Sequence, residues 1–272
     1  MRIYTQRYRA TEIANKNISM KIIKIIPFHL KSSRFPQKAL ARFNGVSLLE
    51  HALANAAQIQ GDDTVLTCPK DDFETVTSSI EIFQYPFTYV PTGSGCICAT
   101  DRVIQIYKKF DSDMYISLPV DEPVIFPKEI NRIIHEIQSE EFGAYTAWCP
   151  FYSLDDATSN LSAKVILNKA SEMLYLSRAM IPVAKDGSVA IEKLKKNVGV
   201  FFFRKAFLYA LESHRNTPTS LDCHEGLEQL RWLELGLTVK TKQIEHYGFG
   251  IDIPSQIAQL ETRMLCLPEQ KK

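Results

Sequence analysis

The sequence predicts an α/β fold with a mostly parallel, Rossmann-like sheet flanked by helices and a smaller, irregular subregion in its second half. Three observations carry this. Short β-branched runs alternate with segments of helical periodicity through the first half. The first such run empties into a polar, cationic turn, and the fourth into two carboxylates bracketed by prolines. Strand-then-helix alternation of this kind is what parallel sheets with right-handed crossovers require.

Lys21 to Pro27 reads KIIKIIP, a buried-strand run ended by a residue that cannot continue the ladder. A polar turn, Phe28 to Lys38, leads to Ser47 to Gln60, where Leu48, Leu49, Ala52, Leu53, Ala56 and Ile59 recur at helical spacing. Thr64 to Cys68 is the second strand, and Asp71-Asp72 opens a helix through Phe73, Val76 and Ile80. Phe87 to Val90 is the third strand, with a helix over Asp101 to Phe110. Met114 to Leu118 is the fourth. It ends in Pro119-Val120-Asp121-Glu122-Pro123, and Pro127 opens a helix carrying Ile130, Ile133, Ile134 and Ile137.

The second half is less regular. Ala144 to Cys149, Ala163 to Leu167, Met173 to Leu176, Gly199 to Phe203 and Val239 to Gln243 read as strands. Arg204 to Glu212, Glu225 to Leu235 and Ser255 to Leu265 read as helices, and Pro182 to Lys196 as a charged loop. Residues 1–20 read as an N-terminal extension, and 21–272 as one α/β domain.

Of 272 residues, 45% are hydrophobic and 23% charged, the composition of a soluble globule. Lys and Arg total 32 against 31 Asp and Glu, so no global cation excess points to nucleic acid, and no interleaved basic and aromatic surface is visible. Runs of about 20 apolar residues, as a membrane span needs, do not occur, and the N-terminus lacks the apolar core of a secretion signal. The six scattered cysteines read as reduced thiols of a cytoplasmic protein; Cys96-Ile97-Cys98 has neither redox-pair nor zinc spacing.

Ligands of open α/β sheets collect beyond the carboxyl ends of the strands. The loop after the first strand holds His29, Lys31, Ser32, Ser33, Arg34 and Lys38, fixed cations and hydroxyls suited to a polyphosphate; a solvated turn has the same composition. It contains no P-loop or dinucleotide signature. Asp121 lies at the same sheet edge, where a carboxylate suits Mg2+ shared with substrate phosphates. Asp252, in Gly248 to Pro254, reads either as a partner acid or as the first-turn acid of the closing helix.

These features meet a resemblance over about residues 21–264. IIPFHLKSSRFPQKAL at 25–40, SLPVDEP at 117–123, NLSAKVIL at 160–167, YLSRAMIP at 175–182, LDCHEGLEQLRWLELG at 221–236 and GFGIDIPSQI at 248–257 follow, in order, the motifs of the 3-deoxy-manno-octulosonate (Kdo) cytidylyltransferases. The chain resembles a divergent member of that family.

The resemblance implies a nucleotidyltransferase fold whose irregular subregion binds sugar and dimerises, and transfer of a nucleotidyl group from an NTP, CTP above all, to an acidic sugar. It implies Mg2+ held by Asp121 and Asp252, with Arg34 and Lys38 completing the catalytic set. Nucleotide contacts fall on Pro27, His29, Ser33, Arg34, Lys38, Ser94, Thr100, Arg102 and Asp121, and sugar contacts on Asn160, Lys164, Arg178, His224, Glu225 and Gln229. The implied assembly is a homodimer without nucleic-acid or membrane partners.

Three departures fall on the nucleotide pocket. His29 replaces an arginine, Pro119-Val120 replaces Gln-Gly, and residues 92–102 carry an insertion between an SG and a Thr-Asp-Arg. The sequence therefore predicts preserved transfer chemistry with altered base or sugar recognition. The unaltered CTP and Kdo enzyme and a binding protein that has lost catalysis stand as the alternatives.

Overall fold

The computed structural model describes residues 20–93, 95–245 and 248–266. The N-terminal extension, apart from Met20, lies outside them, as do Ser94 and His246. In chain order the strands and helices are β1 (Ile22–Pro27), β2 (Arg42–Phe43), β3 (Val46–Ser47), α1 (Leu48–Gln58), β4 (Asp63–Cys68), α2 (Lys70–Ser79), β5 (Thr88–Pro91), α3 (Ala99–Tyr107), β6 (Met114–Ser117) and α4 (Pro127–Ile137). They continue with β7 (Ala144–Pro150), α5 (Leu154–Thr158), β8 (Lys164–Leu167), β9 (Met173–Ser177), β10 (Lys195–Arg204), α6 (Lys205–Glu212), α7 (Ser220–Glu225), α8 (Gln229–Glu234), β11 (Lys240–Gln243) and α9 (Ser255–Leu265).

The main sheet runs β11-β7-β10-β6-β1-β4-β5, with the β8–β9 hairpin attached to β10. β1 sits between β4 and β6, parallel to both, and β5 continues the parallel set. This half follows the predicted alternation. β10 then enters antiparallel to both β6 and β7, a direction that apolar patterning does not encode. β11 is parallel to β7.

β1 shows why the sheet needs cover on both faces. Ile22 and Ile26 join a core with Leu49 and Leu53 of α1 and Ile130 and Ile134 of α4. Ile23 and Ile25 join the opposite core with Val103 and Ile106 of α3, Phe207 of α6 and Trp232 of α8. Period-2 alternation thus feeds two helical layers. The buried Lys24 is accommodated because its ammonium donates at 2.9 Å to the carbonyls of Ala56 and Ile59 at the end of α1. That helix starts with a capping box: Ser47 accepts from the Glu50 N–H while the Glu50 side chain accepts from the Ser47 N–H. A third cluster packs α9 over the small β2–β3 hairpin through Leu260, Phe43, Leu48 and Ile251.

Two elements differ from the sequence reading. The helix expected over Glu225 to Leu235 is shorter, α8 over Gln229–Glu234, because Gly226 takes φ +63°, the left-handed conformation that ends the preceding α7 at Glu225. The charged loop expected to run to Lys196 gives way to β10 at Lys195, two residues earlier. Lys196 is buried there because it finds counter-charge and a carbonyl, which composition alone does not reveal.

Candidate active site

β1 delivers the chain to its carboxyl edge at Pro27, and the loop beyond is held by its backbone. The Phe28 N–H donates to the Thr67 carbonyl at 3.0 Å, the Leu30 N–H to Asp72 Oδ2 of α2 at 2.9 Å, and the Gln37 N–H back to the Leu30 carbonyl at 2.8 Å. A loop fixed in this way presents Arg34 and Lys38 in a defined direction. Arg34 Nη2 lies 2.9 Å from Asp252 Oδ1, and Lys38 Nζ lies 2.5 Å from Asp121 Oδ2 and 3.5 Å from Asp252 Oδ1. One ammonium therefore stands between two carboxylates that are 131 residues apart in sequence. Burial alone would lower the Lys38 pKa, but Asp121 and Asp252 override it and hold the value above that of a free lysine.

The two acids are also tied through their backbones. The Ile251 N–H donates to the Asp121 carbonyl at 2.8 Å, and the Gln256 side-chain oxygen accepts from the N–H groups of Asp252 and Ile253. Gln256 thus takes the backbone role, and the Asp252 carboxylate turns to Arg34 and Lys38. The residue preceding α9 is Pro254, so the first-turn reading of Asp252 is not the one the fold adopts.

A cavity of about 390 Å3 opens above this cluster. Pro27, His29, Arg34, Lys38, Asp121 and Asp252 line it from the first loop and the acidic turns, and Arg102 and Gln229 from α3 and α8. A second cavity of about 520 Å3 shares His29, Arg34, Ile97 and Gln229 with the first, so the two form one groove. Sequence reasoning missed several wall residues: Phe28, Ser117, Gly199, Phe201 and Glu228. Glu228 had a signal, since it belongs to the LEQLR motif; Gly199 and Phe201 had none beyond strand patterning.

Arg102 is buried, with Nη1 donating to Thr92 Oγ1 at 2.6 Å and to the Gly93 carbonyl at 3.5 Å. The Gln229 side-chain oxygen is buried and has no hydrogen-bond partner among the described residues. The His29 imidazole is held below its usual pKa by burial and by the Arg102 and Lys38 charges, with Asp72 opposing. It is thus a mostly neutral group where the family pattern has a fixed cation. Pro119 and Val120 present no side-chain amide to the cavity. Residues 96–99 form a wall pinned by Asp101, whose two oxygens accept from the N–H groups of Ile97 and Asn216 and from Arg231. Cys98 in that wall is kept neutral by burial and the neighbouring Glu228 and Asp101.

Other predicted contacts lie elsewhere. Ser33 is exposed off the cavity wall, and Ser32 lines it instead. Thr100 spends its N–H on Glu228 Oε2 at 2.9 Å. Asn160, Lys164, Arg178 and Glu225 bond chiefly to one another and to backbone. Arg178 donates to the Glu225, Gly226 and Asn160 carbonyls, and Glu225 accepts from Ser177 Oγ and the Arg178 N–H. The Lys164 ammonium is shared among the Ser159, Ser162 and Arg178 carbonyls. His224 is exposed at the end of α7. None of these five lines either of the two cavities. Arg178 remains near enough to feel Arg34 and Asp252, which shift its pKa in opposite directions after burial. Ser94 lies outside the described residues.

Residues 23–244 match the family model described as Cytidylyltransferase. A 3-deoxy-manno-octulosonate cytidylyltransferase of Parabacteroides distasonis is 33% identical over 251 residues, covering 88% of this chain and 96% of its own length. The chain belongs to this family. The Escherichia coli member is 26% identical over 245 residues, covering 90% of this chain and 96% of its own. A solved structure of CMP:2-keto-3-deoxy-manno-octonic acid synthetase complexed with CTP is similar at TM-score 0.75 and 25% identity, over 90% of this chain and 98% of the other. Members of the family thus match nearly end to end, and the first loop and the turn carrying Asp121 fall within the residues that the family model matches. No helix among the described residues is long and apolar enough to cross a membrane.

Proposed function

We propose that this protein is a cytidylyltransferase that moves a cytidylyl group from CTP to an acidic sugar of the Kdo type and releases pyrophosphate. The observation that carries it is the convergence of Lys38 and Arg34 on Asp121 and Asp252 at the carboxyl edge of β1 and β6. Family membership supports the same reading.

The donor set suits a divalent ion that is shared with substrate. Among the described residues no group of three or more His, Cys, Asp or Glu side chains converges, so an all-protein cage is absent. Two hard carboxylates already gathered around one cation are nevertheless what Mg2+ uses when substrate phosphates supply the remaining ligands. Asp121 and Asp252 would hold it. When bound, the ion supplies charge neutralisation at the phosphates and acidifies a coordinated hydroxyl.

The chain's own residues account for the rest. Arg34 and Lys38 draw the triphosphate to the sheet edge and offset the charge that grows on the departing pyrophosphate. The sugar's anomeric oxygen attacks the α-phosphorus, the bond from that phosphorus to the bridging oxygen breaks, and pyrophosphate leaves with the electron pair. The hydroxyl proton passes to solvent. The unpartnered Gln229 oxygen supplies an acceptor for a substrate hydroxyl. The reading includes a homodimer and a cytoplasmic location, and light scattering tests the dimer.

Incubation with CTP, Mg2+ and Kdo should release pyrophosphate. Asp121→Ala and Asp252→Ala should each reduce the rate by on the order of 10²–10³-fold with the fold retained. Ligand binding without pyrophosphate, across four NTPs and a panel of sugar acids, would instead establish a binding protein.

A further inference from the structure

We infer that Lys196 is a positioning residue for Asp252, acting through Gly248 and Phe249 from outside the cavity. The inference rests on the reading of Asp252 as an acid of the transfer site.

Lys196 lies on β10, only 5% exposed. Its ammonium donates to the Gly248 carbonyl at 2.6 Å and pairs with Asp156 Oδ2 at 3.3 Å. The same oxygen of Asp156 takes Arg263 Nη1 of α9 at 3.3 Å, and its other oxygen accepts from Ser162 Oγ at 2.5 Å. The Phe249 ring is 5.5 Å from Lys196 Nζ and 4.7 Å from Arg263 Cζ, so two cations address one buried ring.

The segment carrying Asp252 is consequently fastened at three places. Lys196 holds Gly248, Asp121 holds Ile251 through its carbonyl, and Gln256 holds the Asp252 N–H. The last two are local to the acidic turns. Lys196 alone of the three fastens the segment to the side of the sheet carrying β10. A buried ion cluster is a poor source of stability compared with apolar packing, and its best-attested use is to fix one arrangement among several. Here the arrangement fixed is the approach to Asp252. The Asp156 carboxyl agrees: burial pushes its pKa up, yet Lys196, Ser162 and Arg263 outweigh burial and hold it below the ordinary value.

Lys196→Met, Lys196→Arg and Phe249→Leu in the full chain test this, read by hydrogen exchange and by Mn2+ binding with CTP present, followed by electron paramagnetic resonance. Loss of the positioning contact should speed exchange at residues 248–253 while β1 and β6 keep wild-type protection, and weaken Mn2+ binding about tenfold. Lys196→Arg should restore both. If Lys196→Met fails to fold, Phe249→Leu carries the same comparison. Wild-type exchange at 248–253, or acceleration spread evenly over the sheet, would overturn the inference. A wild-type protein that binds neither Mn2+ nor CTP would instead overturn the transfer reading, and the exchange contrast would still decide the role of Lys196.

Discussion

The Gly199 N–H donates to Glu122 Oε1 at 2.8 Å, joining β10 to the turn that carries Asp121. A Cβ at position 199 would stand 2.7 Å from that oxygen and 3.5 Å from Pro119. Gly199→Ala should therefore fold, because the Glu122 side chain can swing aside, but at the loss of this charge-assisted bond. We expect about 1–3 kcal/mol of lost stability in urea unfolding and a raised KM, since position 199 lines the cavity.

Lys38 neutralises two carboxylates at once. Lys38→Met takes the ammonium away from both Asp121 and Asp252 and leaves Asp252 its ion pair with Arg34, and turnover should fall on the order of 10²–10³-fold. Lys38→Arg should recover part of it. Steady-state pyrophosphate release reads both, and equal turnover in Lys38→Met and wild type would remove Lys38 from the mechanism.

His29 gives the nucleotide end of the cavity a pH dependence. Its folded pKa is depressed below 6.5, so the free protein binds fewer protons here than the unfolded chain, and acidification through this range destabilises it. A bound triphosphate favours the charged imidazole, raising that pKa. Affinity for CTP should accordingly strengthen severalfold as pH falls from about 7.5 to about 5.5, and His29→Asn should lose most of this slope. Calorimetry across the pH series measures it.

Trp232 is fully buried, with edge-on contacts to Phe201, Phe203 and Phe207 at centroid distances of 5.2, 5.5 and 5.8 Å. Trp232→Ala should cost about 3–5 kcal/mol, measured by denaturant unfolding.

The regular half of the fold was legible because β1, β4 and β6 are apolar strands followed by amphipathic helices. Asp121 and Asp252 were legible from their motifs, although it took the folded chain to show that they share Lys38. β10 was harder: its direction depends on long-range pairing, and the buried Lys196 looks in sequence like a solvated lysine. The break at Gly226 had a local signal in the glycine itself. For Lys164, Arg178 and Glu225 the motif shows which residues recur together, and only the folded chain shows the hydrogen bonds by which they hold each other.

β10 has a consequence for how this protein can diverge. The same strand puts Phe202 and Phe203 into opposite cores, Gly199 under the cavity and Lys196 against the approach to Asp252. Four separate requirements leave that strand little freedom to drift. The walls at 96–98 and 119–120 are loops rather than strand, and it is there that the sequence motifs predict a departure from the family pattern. New ligand preferences can accumulate on these walls while the strand that underlies them stays as it is.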